Sequence, residues 1–274
     1  MDLEPIAARH QAVLDLLTQL ARDDERIVAA WLQGSRADGS ADAFSDIDLY
    51  VAVSDAEYAA FDKLAFIAQA APVLVHADLA GLNAVVCLLE GPVKLDFFVE
   101  RKSAAPDIPR PAVRMLLDKA NIALRSGWEP DGEAVAAQID ALVRVTFQGA
   151  SWPVRMLRRR QWMTHAFSEL TLINGVVVPL MLVQHDPRAF HRNQLTRERL
   201  LSDEGRREVD ALAAEVLEAL AARSLSAAYD VHLRILDMLS RVARDACAAY
   251  GLEYPAAAER HVRDFYAREW PKEA

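Results

Sequence analysis

Cysteine is nearly missing from this chain. Its 274 residues include two, Cys87 and Cys247, far apart and each in apolar surroundings. That excludes a disulfide framework and a zinc site built on cysteine pairs, and it reads as two buried thiols in a reducing cytoplasm. Glycine and proline are sparse, at 10 and 12 residues, so no collagenous or low-complexity segment is present. An excess of positive charge is also lacking. The formal net charge of −9 argues against sequence-independent nucleic-acid binding, which needs Lys and Arg to neutralise phosphates. The first 102 residues carry the whole of that negative balance and the remainder is neutral. An acidic first part suits a metal cation and a cationic acceptor.

Several signatures are absent. There is no G-x-x-x-x-G-K-[ST] phosphate loop and no H-E-x-x-H, and the seven histidines fall at no zinc spacing. The longest apolar run, Leu170 to Val183, is interrupted by Asn174, Gly175 and Pro179 and is expected to be too short for a bilayer, with no membrane partner. Asp2 and Glu4, with no basic stretch, do not read as a signal peptide, and the expected location is cytoplasmic.

What is present is a hydrophobic content of 53%, enough for two globular domains. The chain is organised around Gly34-Ser35-Arg36 and, ten residues on, Ser45-Asp46-Ile47-Asp48-Leu49-Tyr50-Val51. Alternation predicts a strand over 45–53, with Asp46 and Asp48 on one face and Ile47, Leu49 and Val51 on the other. Carboxylates about 7 Å apart along a strand repel unless a cation lies between them, and oxygen-only ligands suit Mg²⁺. Gly34 lets backbone approach closely, and Ser35 offers a hydroxyl and an N–H to a phosphate.

The rest reads in order. A helical period covers 5–22, and a buried-type strand covers Arg26 to Gln33. A helix is expected over 55–70, capped by Ser54. Strands follow at 72–76, 82–89 and 93–100, the last two joined at Glu90-Gly91-Pro92. Asp96 lies on the last of them, a single carboxylate among apolar residues that requires a partner; a metal shared with Asp46 and Asp48 supplies one. Lys94 shares its face and is an alternative partner. Pro106, Pro109 and Pro111 mark 104–111 as the linker. Helices are then expected over 112–126, 131–148, 153–172, 176–184, 205–223, 226–250 and 256–270, a helical bundle. Arg155, Arg158, Arg159 and Arg160 form a basic cluster, with Arg155 and Arg159 on one face: either phosphate ligands or a solvated surface.

A Gly34-Ser35 turn, then Asp46-x-Asp48, then a distal Asp96 resembles the nucleotidyltransferase superfamily that includes DNA polymerase β. The stretches from Asp24 to Ala30 and from Phe44 to Asp48 look most like the bacterial aminoglycoside and lincosamide nucleotidyltransferases. The resemblance implies an α/β (α+β) nucleotidyltransferase domain with a mixed sheet at 1–104. A helical domain at 105–274 would complete the nucleotide and acceptor site. It implies a Mg²⁺-dependent enzyme, with two ions on Asp46, Asp48 and Asp96. That enzyme moves a nucleoside monophosphate, AMP by default, from ATP or another NTP to a hydroxyl of a small molecule and releases pyrophosphate. Gly34, Ser35 and Arg36, with Arg155 and Arg159, are the expected phosphate contacts. Asp96 is the expected proton acceptor, with Glu90 and Glu169 as alternatives. An antibiotic acceptor, and a monomer or homodimer, are expected. A protein or RNA acceptor, or a non-catalytic nucleotide-binding or antitoxin-type protein, stands as the rival.

Overall fold

The computed structural model describes residues 4–79, 81–191 and 197–271; Asp2, cited above for the N-terminus, lies outside them. The chain divides into two compact units, Met1–Trp128 and Glu129–Ala274.

The first unit is a six-stranded mixed sheet: β1 (Ile27–Leu32), β2 (Ile47–Val53), β3 (Val73–Leu79), β4 (Ala84–Leu89), β5 (Val93–Arg101) and β6 (Arg114–Asp118), in the order β3-β4-β5-β2-β1-β6. The central pair β2–β5 is parallel and the other pairings are antiparallel. Strict alternation on β2 and β5 sends Ile47, Leu49, Val51, Leu95, Phe97 and Val99 to one face, all buried. There they pack with Val13, Leu14 and Leu17 of α1 (Glu4–Asp23) and with Phe66 and Ile67 of α3 (Lys63–Ile67). The opposite face carries Asp48 and Asp96 at one end, followed by a stack of Trp31, Tyr50 and Phe98 with centroids 5.8 and 4.2 Å apart.

Four expectations change here. The helix expected over 55–70 is a single 3₁₀ turn, Tyr58–Ala60, followed by α3. Phe61 between them is extended and buried against Phe66 and Phe97, and burying that ring breaks the helix. The cap is Asp62, not Ser54; its side chain accepts from Ala65 N–H at 2.9 Å. The helix expected over 112–126 is β6 and a loop, because the outer edge of β1 has backbone groups that β6 pairs. The proline-rich stretch 104–111 is therefore not the boundary. Arg110, 1% exposed, lies over the Trp31 ring and pairs with Glu100. Its guanidinium also donates to the Ala105 carbonyl at 2.8 Å, so the segment is part of the first unit.

The second unit is helical: α4 (Gly132–Gln148), α5 (Ser151–Arg158), α6 (Trp162–Leu172), α7 (Val178–Val183), α8 (Asp203–Ala222), α9 (Leu225–Ala249) and α10 (Ala256–Glu269). The helix expected over 153–172 is split at Arg160, whose left-handed φ of 56° ends α5. Conversely, Gly175 and Pro179 do not break the chain after α6. A π turn at Ile173–Val177 carries the helix forward, and Pro179 falls in the first turn of α7, where a missing N–H costs little. The run Trp162–Val183 is thus 22 residues, long and apolar enough to cross a membrane by length and composition, which corrects the expectation drawn from Leu170–Val183. Half of that stretch is buried inside the unit, and it carries the buried pair His165 and Glu169.

Candidate active site

The carboxylates converge. Asp48 and Asp96 are register partners across the parallel β2–β5 pair, and Asp46 sits just before β2. Oxygens of Asp46, Asp48 and Asp96 lie within 4.8 Å of one another, all half-buried. Anions at that spacing repel one another. Burial, with Asp46 and Asp96 adding to it, pushes the Asp48 carboxyl up to about 7. Lys94 answers part of this charge: its Nζ donates to Asp46 at 2.6 Å and to Asp96 at 3.0 Å. Burial lowers the lysine's proton affinity, but those two bonds outweigh it and hold it above the usual value.

Gly34 closes the site from the β1 end. It opens α2 (Ser35–Asp38) with φ 60° and ψ −151°, a region open essentially to glycine alone. A Cβ at this position would stand 2.2 Å from Asp48 Oδ2. The bare backbone is what allows the Gly34–Ser35 turn and the Asp48 carboxylate to lie side by side. The Ala37 and Asp38 amides donate to the Gly34 carbonyl at 3.0 and 3.2 Å and close the turn. Arg36 was expected at phosphate. Its Nε and one terminal nitrogen donate to the carbonyls of Asp46 and Ser45, both at 2.9 Å. Burial lowers the guanidinium's proton affinity. It staples the turn to the chain entering β2.

The other sequence candidates belong to other elements. Glu90 is exposed in the β4–β5 turn. Arg155 is exposed on α5 and Arg159 caps that helix's C-terminal end, both in the second unit. Glu169, on α6 of the second unit, is 1% exposed and accepts from His232 Nδ1 at 3.0 Å through each oxygen. His232 escaped the sequence reading because 63 residues separate it from its partner, and only the i,i+4 spacing of His165 and Glu169 hints at a cluster.

The donor set suits a divalent metal: three carboxylates, no nitrogen or sulfur ligand, and a mutual repulsion that a cation relieves. Residues 8–135 match the family model of streptomycin adenylyltransferase, from within α1 to the first turn of α4. The match spans just under half of the chain. Seven solved chains match this one. One is an aminoglycoside 6-adenyltransferase from Bacillus subtilis, 16% identical, over 94% of this chain and 98% of that one, with a TM-score of 0.39. Among curated protein sequences nothing matches. The carboxylates and the Gly34–Ser35 turn lie inside the matched residues.

Proposed function

We propose that this chain is a nucleotidyltransferase that moves AMP from ATP to a hydroxyl group of a small aminoglycoside-like acceptor and releases pyrophosphate. The observation that carries the reading is the convergence of Asp46, Asp48 and Asp96 beside the Gly34–Ser35 turn. The acceptor oxygen attacks the α-phosphorus, the bond from that phosphorus to the pyrophosphate oxygen breaks, and the hydroxyl proton passes to a carboxylate.

Asp46, Asp48 and Asp96 would hold Mg²⁺, which when bound polarises the attacking hydroxyl and neutralises charge on the leaving group. The chain's own residues do the remainder. The Gly34 and Ser35 amides and the Ser35 hydroxyl hold the terminal phosphates, and catalysis follows chiefly from holding the reacting groups in line. Arg36 positions Asp46 through its carbonyl rather than touching substrate. Asp96 takes the acceptor's proton. Lys94 Nζ lies 3.0 Å from each oxygen of Asp96 and balances part of its charge. The streptomycin family model and the acidic first unit support a cationic antibiotic as acceptor.

The test is a pyrophosphate-release screen crossing four NTPs with panels of aminoglycosides and lincosamides, with mass spectrometry of the products. Acceptor-dependent release that yields an adenylylated product, and is lost in Asp48→Asn, supports the reading. Release without an acceptor, or activity surviving in Asp48→Asn, overturns it.

A further inference from the structure

The sheet of the first unit ends at β3, whose outer edge has no strand partner among the described residues. Soluble proteins blunt such an edge with lysine, proline or a bulge. Between Val73 and Leu79 there is no lysine and no proline. The bulge falls at the start of the strand, between Val73 and Val75. Residues 75–79 are left regular, paired in turn with 88 down to 84. Residues 74–78 are all exposed, so both faces of the strand are open. Leu74 and Val75 are each 60% exposed, and Leu82 in the turn that follows is 62% exposed. Unpaired backbone and uncovered apolar side chains thus lie along one line, and a further strand satisfies both.

The side chains say which strand. When two copies of β3 pair antiparallel about an axis through Ala77, Ala77 meets its own copy, Val75 meets Leu79, and His76 meets Asp78. Each contact away from the axis occurs twice. Alternation puts Val75, Ala77 and Leu79 on one face as an apolar strip, with His76 and Asp78 on the other. His76 and Asp78 make no hydrogen bond or ion pair among the described residues. An imidazole N–H donates to a carboxylate whether the ring is neutral or charged. Other registers are poorer. An axis through His76 sets Leu74 against Asp78, and an axis through Asp78 sets two carboxylates face to face.

We propose that β3 pairs antiparallel with β3 of a second copy of this chain, about a two-fold axis through Ala77, and joins the two six-stranded sheets into one. The exposed Leu74, Val75 and Leu82 are covered in the process. Asp96 lies two strands in from this edge, in register with Val86 and Ala77, so the pairing does not draw on the carboxylates or on nucleotide chemistry.

Sedimentation equilibrium on the full chain, at up to about 1 mM, tests this. One added strand pair is a small interface, so a concentration-dependent dimer is expected. Ala77→Lys sets two ammonium groups together on the axis and should leave only monomer, with an unchanged far-ultraviolet circular dichroism spectrum. His76→Asp should weaken association about tenfold, because two cross-strand pairs are lost at once. Combining His76→Asp with Asp78→His should restore it. Directly paired Cα atoms in antiparallel strands lie about 4.5–5.5 Å apart, within reach of a disulfide. Mild oxidation of Ala77→Cys should therefore give a covalent dimer on a non-reducing gel; Cys87 and Cys247 are buried. The cross-link and the exchanged pair decide the matter should Ala77→Lys not fold. Monomer at every concentration, a dimer untouched by Ala77→Lys, no recovery in the double variant, or no cross-link through Ala77→Cys would each overturn the proposal.

Discussion

The Lys94 ammonium lies between Asp46 and Asp96, 2.6 Å from the first carboxylate and 3.0 Å from the second. It stands where positive charge is needed and so competes with any divalent cation for the same oxygens. Lys94→Met should lower the thermal stability of the chain in EDTA, because three carboxylates then face one another without a counter-charge. It should also tighten Mn²⁺ binding several-fold, since a half-exposed ion pair contributes about 0.5–1 kcal/mol. Manganese titration followed by electron paramagnetic resonance reads this directly. Unchanged affinity would mean that the lysine is a bystander.

Asp48 gives a pH dependence with a definite sign. Its carboxyl ordinarily titrates at 3.8 and in the folded chain at about 7. The folded state therefore holds a proton that the unfolded state has released between those values, and metal-free stability falls as pH rises from about 4 to 7. Asp48→Asn mimics the protonated acid and lacks this loss. In EDTA the variant should match wild type near pH 4 and exceed it at pH 8. One pH unit is worth about 1.4 kcal/mol; partial solvent access discounts the full shift to about 1–2 kcal/mol. Mg²⁺ should stabilise the wild type and not the variant. Urea melts at three pH values, with and without Mg²⁺, check both signs.

Gly34 is a point where one methyl group decides the site. A side chain at φ 60° and ψ −151° is strained by about 1–3 kcal/mol, and its Cβ would displace the Asp48 carboxylate. Gly34→Ala should fold, by far-ultraviolet circular dichroism, yet lose turnover by at least about a hundredfold, as misplacing a catalytic group does. Mn²⁺ affinity should fall in the same variant. Gly39, also at positive φ but with open space around it, is the control: Gly39→Ala pays the backbone strain and keeps the activity.

The convergence of the three carboxylates was legible in the sequence because its parts are short-range patterns. The Asp46-x-Asp48 alternation places both acids on one strand face, and Asp96 stands out as a lone charge on an apolar strand. What was not legible depended on distant partners. Arg114 to Asp118 has no strong strand signal of its own, and only the unpaired edge of β1 makes it a strand. The π turn after α6 lets Gly175 and Pro179 pass without a break. His232 meets Glu169 across 63 residues with no motif to announce it. Arg36, adjacent to the turn, reads as a phosphate ligand until the carbonyls of Ser45 and Asp46 are seen to occupy it.

Arg110 shows how one buried charge moves a domain boundary. Its guanidinium pairs with Glu100, covers Trp31 and donates to the Ala105 carbonyl, while its backbone N–H donates to Arg125 and its carbonyl accepts from Trp128. Burial already raises the Glu100 carboxyl despite this partner. Arg110→Ala would leave that carboxylate buried and unpaired, a loss of about 3–5 kcal/mol. The stretch 104–128 should then become sensitive to protease, with cleavage appearing at Arg114, Lys119 or Arg125. Glu100→Gln in the same background removes the stranded charge and should recover part of the stability. If trypsin cut wild type and Arg110→Ala equally fast between 104 and 128, that stretch would be a linker after all.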